Sequence, residues 1–590
     1  MIEFWGQLGE RCDPAPEGVT IQGPGGWACG RSEVGAWQWA ENEQAVALLW
    51  GRPRWREGGE AVEALVRHYP REREAALEGL AGQFLGVVVD KRRSQGVVFV
   101  DRLASWPLYY ARRSDGVLLF STTMERLSEA GQPLALNPQA IYDYLYFHVV
   151  PAPATIYHGI HSLRPGRYLQ SGSEAEGRYW QLHYQEDGGG DFAALKERLR
   201  HHLRQGVGRC AEGPVGAFLS GGTDSSTVTG MLGEVRGEAP DSYSIGFDEP
   251  GYDELEYARV AARHFGARMH EYKVTPQDIV DAIPLIAESY DQPFGNSSAV
   301  PTYYCARLAR EDGKQRLLAG DGGDELFAGN ARYAKQLLFD RYQRVPSALR
   351  HGLIEPLVES PLGGLPGISK LRSYVRQARV PMPERLETYN LLERLGPRSV
   401  LSDEFLAAVD TAHPHQVLRH AYGDSNAQTL LNRMLTLDYQ ITLADNDLQK
   451  VGRMCARAGV EVVYPLLDDE LVAFAGQLPP QMKLKDQQLR WFFKAALADF
   501  LPPEVIKKKK HGFGLPFGPW LRRHRPLQEL VGDSLSSLAG RGIIRPRLID
   551  RLQHELLGEH PGYYGTLAWV LMMLEQWFAA RGIDSQVVQW

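Results

Sequence analysis

The sequence predicts an α+β unit of stacked sheets followed by an α/β unit built on a doubly wound parallel sheet with helical insertions. Three observations lead there. Two glycine-rich acidic loops, Ser220-Gly221-Gly222-Thr223-Asp224-Ser225-Ser226 and Gly320-Asp321-Gly322-Gly323-Asp324-Glu325, each follow a short apolar run. Strand-like runs near 215, 241, 268 and 315 are spaced by helical patterns, the alternation of a parallel sheet. Between Glu186 and Asp191 stand three consecutive glycines, which rarely sit inside an element and mark a boundary. The resulting domains are 1–187 and 192–590.

Before the boundary, Val- and Phe-rich runs such as Gly86–Asp90 and Gly96–Asp101 alternate with turns, which predicts stacked sheets with helices outside. After it, Val215–Leu219 runs into the first loop. Gly221 and Gly222 let the backbone turn tightly and approach a ligand, and Ser225 and Ser226 offer hydroxyls where a helix begins and its free N–H groups point outward. Such a site suits a nucleotide's phosphates, and Asp224 adds a hard oxygen ligand for the Mg²⁺ that travels with ATP. An ordinary glycine turn is the competing reading. The second loop follows Leu317–Ala319. In doubly wound sheets ligands sit outside the carboxyl ends of the strands, so both loops can converge on one nucleotide, with Mg²⁺ between Asp224 and Asp324. A solvated acidic turn is the alternative there. Downstream, Leu255, Ala258, Ala262 and Phe265 share one helical face and read as packing on the sheet. Beyond residue 333 the pattern is mostly helical. The apolar helix Leu567–Phe578 reads as core, being short for a membrane span and broken by Glu575.

Composition excludes several classes. The chain has 590 residues, more than one ordinary core. Lys and Arg number 65 against 72 Asp and Glu, a net charge of −7, so no basic face for nucleic acid is implied. Five cysteines, Cys12, Cys29, Cys210, Cys305 and Cys455, lie far apart, with neither zinc spacing nor a disulfide framework. With no signal peptide at the acidic start and no transmembrane segment, a cytoplasmic enzyme is expected.

The run Ser220–Ser226, then Tyr243-Ser-Ile-Gly-Phe247, then the segment 320–333 resemble the synthetase domain of the asparagine synthetase family, a PP-loop ATP-pyrophosphatase fold. The likeness continues through Asp291-Gln292-Pro293, Glu461–Asp468 and Leu501–Phe513. Residues 80–123 and 151–169 resemble the same family's amino-terminal, Ntn-type glutaminase domain. That family makes amides by adenylating a carboxylate with ATP and Mg²⁺. The resemblance implies that Leu219, Ile245, Ala319 and Gly320 grip the adenosine, chiefly through backbone groups, and that the 220–226 loop with Asp224 and Asp324 neutralises the departing pyrophosphate. Asp321 matches the place where asparagine synthetases carry a Glu; it could take the amine's proton, orient the amine, or simply cap the turn. Lys510 stands two residues before Gly512-Phe513, matching the lysine of the family's Arg-x-Lys-x-Gly-Phe pattern. Such a fixed cation can contribute on the order of 3 kcal/mol at a developing oxyanion. Lys508 replaces that pattern's arginine. Asp445, Asn446, Asp447 and Lys450 fall where the family forms its acceptor site, although alternating charges also suit a helix surface. Asp468 reads as structural.

The glutaminase nucleophile is missing. A glutaminase of this type needs a cysteine at its mature amino terminus, whereas Met1 is followed by Ile2-Glu3-Phe4-Trp5, and Cys12 precedes Asp13-Pro14. Nitrogen must then come from free ammonia or from an amine on the substrate, which would form a ring. Two ring-forming branches resemble this layout, β-lactam synthetases and lasso peptide cyclases. The former usually carry a tyrosine where Asp321 stands, which favours a lasso cyclase. That resemblance implies a leader-free precursor peptide as substrate, with a leader peptidase and a leader-recognition protein as partners, and the helical insert 334–430 as candidate walls for it. A β-lactam synthetase-like ring-forming enzyme or an ammonia-dependent asparagine synthetase is the alternative.

Overall fold

A computed structural model describes residues 2–360, 368–508 and 514–584. The amino-terminal unit stacks two six-stranded antiparallel sheets. One runs in the order His161–Ser162, Tyr109–Arg112, Leu118–Ser121, Ile2–Leu8, Gly26–Ser32, Ile21–Gly23. The other runs Gly177–Arg178, Arg167–Gln170, Gln95–Val100, Phe84–Asp90, Ala45–Gly51, Trp37–Glu41. The valine-rich runs show why. Successive strand residues point to opposite faces, so Leu48, Val87 and Val98 meet Phe4 and Phe120 between the sheets. Their neighbours Leu49, Val88 and Val97 pack outward on Leu65 and Tyr69 of the helix Ala61–Glu72.

The glycine run leads to Asp191, whose side chain accepts the Ala194 N–H at 3.0 Å and caps the helix Phe192–Gly208. The second unit then builds a five-stranded sheet, ordered Arg268–Val274, Asp241–Phe247, Val215–Phe218, Arg316–Leu318, Glu461–Val463, with every pair parallel. Its first strand lies in the middle. The chain winds outward on one side, then returns and winds outward on the other, so strand order reverses between Val215–Phe218 and Arg316–Leu318. Both loops singled out in the sequence leave from the carboxyl ends of those two strands.

The helix Leu255–Phe265 buries Leu255, Ala258, Ala261 and Ala262, while Phe265 is half-buried against Gly230, where an added Cβ would lie 2.4 Å from its ring. The apolar carboxyl-terminal helix Pro561–Ala580 is core: Leu567–Glu575 is wholly buried, with Glu575 ion-paired to Arg541 at 2.6 Å. Among the described residues no helix is long and apolar enough to cross a membrane. Within the helical insert, Phe339, Tyr342, Val358, Val375 and Ala378 form a small core of their own.

Candidate active site

The two loops meet over a cleft of about 780 Å³ at the switch point. They meet backbone to backbone because glycine leaves no side chain between them. A Cβ on Gly320 would lie 2.8 Å from the Ser225 nitrogen, and one on Gly323 would lie 2.5 Å from Asp224 Cγ. Gly221 has φ +69°, and its Cβ would meet the Ala258 nitrogen at 2.4 Å. Within the first loop the Ser220 and Ser225 hydroxyls are 3.0 Å apart, and the Ser220 N–H donates to Ser225 Oγ at 3.2 Å.

Of the residues expected to hold the nucleotide, Leu219, Ser220, Gly222, Thr223, Asp224, Ser225, Ile245 and Gly320 line this cleft. Three do not. Gly221 is turned against Tyr257 and Ala258, so its part is to shape the loop. Ser226 is fully buried in the helix Thr223–Arg236, and its N–H donates to the Gly222 carbonyl at 3.1 Å. Ala319 is buried, and its N–H donates to Val463 O at 2.9 Å, tying the loop's root to the neighbouring strand.

Asp224 and Asp324 both line the cleft, and one guanidinium joins them. Arg490 Nη1 donates to Asp224 Oδ1 at 2.6 Å and to Thr223 Oγ1, and Nη2 donates to Asp324 Oδ1. The donor set suits a divalent cation, since two hard carboxylates on facing loops already converge on one positive group. Arg490 carries no sequence signal: it ends the polar run Lys485-Asp-Gln-Gln-Leu-Arg490, with no glycine to announce a ligand loop. Lys508 also reaches the cleft, paired to Glu254 at 3.0 Å and donating to Ser220 O at 3.3 Å. Lys494 lines it too; burial, with Arg490 nearby, lowers its pKa. Lys510 lies outside the described residues.

Asp321, Asp447 and Lys450 also line the cleft. Burial pushes the Asp321 carboxyl up to about 6, against the opposing pull of Lys450. Lys450 donates to Asp447 Oδ1 at 2.7 Å. Burial disfavours its charge, but Asp447, Asp321 and Glu325 outweigh that and raise its pKa. Asp445 does not join them. The helix Tyr439–Asp447 is wound as a π-helix, and it turns Asp445 into a separate cavity of about 530 Å³, where it accepts the Ala152 N–H at 3.2 Å. Asp468 caps the helix Asp469–Gln477 and binds Arg209 at 2.6 Å.

In the amino-terminal unit neither cysteine is activated. Cys12 donates to the Gly9 carbonyl at 3.2 Å and burial pushes its pKa up to about 11, while Cys29 is buried and likewise raised. Ile2 opens a strand paired on both sides, its carbonyl accepting from Thr122 Oγ1 at 3.0 Å.

Known proteins resemble both units in sequence. The sequence model of the glutamine amidotransferase domain matches residues 52–180. Asparagine synthetase [glutamine-hydrolyzing] 1 of Bacillus subtilis (strain 168) is 24% identical over 473 residues, covering 78% of this chain and 72% of that protein. A putative asparagine synthetase [glutamine-hydrolyzing] of Mycobacterium bovis is 25% identical over 565 residues, covering 90% and 81%. Among solved structures, the B. subtilis glutamine phosphoribosylpyrophosphate amidotransferase with ADP and GMP aligns over 54% of this chain and 74% of its own at 12% identity, with a TM-score of 0.19. The model of the asparagine synthase family spans residues 198–579, both loops and the sheet between them, and the chain belongs to that family of ATP-dependent carbon–nitrogen ligases.

Proposed function

We propose that this ligase closes a macrolactam. It adenylates an Asp or Glu side chain of a leader-free peptide and joins that carboxyl to the peptide's amino-terminal amine, releasing AMP and pyrophosphate. The carrying observation is how the five cysteines are placed: Cys29, Cys305 and Cys455 are buried, Cys210 is half-buried, and the half-buried Cys12 thiol donates to the Gly9 carbonyl at 3.2 Å, and burial raises the pKa of each. Without a thiolate no glutamine amide is opened, so the amine comes with the substrate or from free ammonia.

A second cavity beside the cleft favours the substrate's own amine. It measures about 390 Å³ and is walled by Phe147, Leu386, Tyr389, Leu391 and Tyr563. The two are lined by neighbours in sequence: Ala331, Leu443 and Asp447 line the cleft, and Arg332, Thr442 and Asn446 line the second cavity. Asn446 Oδ1 accepts from Nδ2 of Asn296, a residue of the cleft, at 2.8 Å. Such space suits a peptide better than ammonia.

In the first step a carboxylate oxygen attacks the α-phosphorus and the bond to the β-phosphate breaks. The Ser220 and Ser225 hydroxyls and the loop's N–H groups face the leaving pyrophosphate. Asp224 and Asp324 would hold Mg²⁺, which would supply neutralising charge there. The amine then attacks the acyl carbonyl, AMP departs, and Asp321, with a pKa of about 6, accepts the proton from nitrogen.

Ammonia-dependent asparagine synthesis is the second reading, favoured by relatives named asparagine synthetases. Pyrophosphate release and mass spectrometry on aspartate plus ammonium, a β-amino acid precursor and leader-free peptides decide between them. Loss of one water from a peptide, with AMP formed, is the expected result. Turnover of aspartate and ammonium alone would refute ring closure.

A further inference from the structure

Another cavity lies between the two units, apart from the cleft. It measures about 320 Å³ and takes its walls from Gln38, Arg52 and Arg54 of the first unit and from Arg209, Tyr464 and Asp468 of the second. Among the described residues it shares no lining residue with the cleft. The sequence Arg52-Pro53-Arg54 accounts for two of its walls. A proline disfavours helix for itself and for the residue before it, and on an extended chain residues two apart point to the same side. Both guanidiniums therefore face one space.

Charge there is out of balance. Arg52, Arg54, Arg56, Arg102, Arg209 and Arg316 pair within 4.0 Å with Glu461, Asp468, Asp469 and Glu470, so six guanidiniums share four carboxylates. The shortfall falls on the two that face the cavity from the first unit. Arg52 gives one hydrogen bond, to the Arg209 carbonyl at 3.1 Å, and its acid, Glu461, stands 4.0 Å away while Arg316 holds that carboxylate at 2.6 Å. Arg54 uses Nη2 alone, on Asp468 at 3.2 Å, which Arg209 binds more closely at 2.6 Å, and on Asp469 at 3.5 Å. A guanidinium carries five N–H donors, so most of theirs have no protein acceptor among the described residues. The crowding is felt at Arg56 as well, where burial and then the repulsion of Arg102 lower the pKa. Asp468 is the one acid in the cavity's lining, against three arginines.

We propose that this cavity binds a compact dianion, of the phosphate or dicarboxylate class, gripped by Arg52 and Arg54 with Arg209 beside them. A planar guanidinium offers parallel N–H groups to phosphate and carboxylate alike, and a partly enclosed setting strengthens that attraction relative to open water. The ligand bridges the units, because Arg52 and Arg54 belong to the first and Arg209 to the second. The site depends on neither identity of the ligase's amine.

The test is calorimetric titration of the full chain with inorganic phosphate and, separately, with succinate, while excess α,β-methylene ATP and Mg²⁺ keep the nucleotide cleft filled. Wild type should bind one equivalent of at least one probe with a Kd of about 1 mM or tighter, and the tighter of the two names the class. Arg52→Gln should weaken that binding at least about tenfold, the worth of one charge-assisted hydrogen bond, and Arg52→Lys should weaken it less. Absence of binding by both probes, or wild-type affinity in a folded Arg52→Gln protein, overturns the site. Should that variant not fold, Gln38→Glu decides. It sets a carboxylate in the wall, leaves every arginine pair in place and should weaken the anion by the same factor; wild-type affinity in it refutes the proposal.

Discussion

The Asp445 carboxyl is half-buried in its cavity, where it accepts the Ala152 N–H at 3.2 Å, and the loss of solvent around it pushes its pKa up to about 7. The folded chain therefore binds this proton more tightly than the unfolded chain does. Stability should rise as pH falls through about 7 toward the ordinary carboxylate range, and be lost as pH climbs back. Asp445→Asn keeps an acceptor for Ala152 and carries no charge. It should melt higher than wild type at pH 8, lose that advantage near pH 5, and release pyrophosphate at the wild-type rate, since Asp445 lies outside the nucleotide cleft. Parallel melting curves across pH would refute the burial argument, and a large loss of turnover would return Asp445 to the acceptor site. Only the resemblance of its segment to the family's acceptor site put Asp445 there, and a segment resemblance does not fix which way each side chain faces: Asp447 and Lys450 line the cleft, whereas Asp445 lines the separate cavity.

The elements that carry the site differ in how plainly the sequence announces them. Glycine pairs beside acids at strand ends were legible, because close approach of two backbones demands them, and so were the alternating valines of the stacked sheets. The fifth parallel strand, Glu461–Val463, has three residues, too few for a period to show. The hairpin that delivers Arg490 was silent for another reason: its turn uses Asp486-Gln487, where sequence reading looks for Asn-Gly or Asp-Gly. At this scale Gly323→Ala is the informative change. Its Cβ would fall 2.5 Å from Asp224 Cγ, so one loop must back away from the other. Calorimetric titration should show affinity for α,β-methylene ATP reduced at least about tenfold, with about 1–3 kcal/mol lost in stability from overpacking. Wild-type affinity in that variant would mean that the loops need not touch to hold a nucleotide.

Across the whole molecule, the amino-terminal unit is built into the fold of the ligase. Asp469, buried at the start of a helix in the second unit, accepts the Gly82 N–H at 2.7 Å and pairs with Arg102 at 2.6 Å. Asp291 accepts the Met124 N–H at 3.1 Å and holds Arg453 at 2.8 Å, and Gln292 Oε1 accepts the Ile156 N–H at 3.3 Å. The Asp-Gln-Pro signature thus clamps the two units together. Apolar packing is continuous as well, since Leu103, Tyr109 and Tyr144 belong to the same buried cluster as Tyr243, Leu317 and Val570. Two units joined by buried polar pairs and one shared core should unfold as one. Scanning calorimetry of the full chain should give a single transition. Asp469→Ala should lower it as a whole, because Arg102, only 8% exposed, loses its acid, a change that costs about 3–5 kcal/mol for a buried pair. Two separate transitions in wild type would mean that the amino-terminal unit is a passenger, and its retention would then need a functional reason of its own.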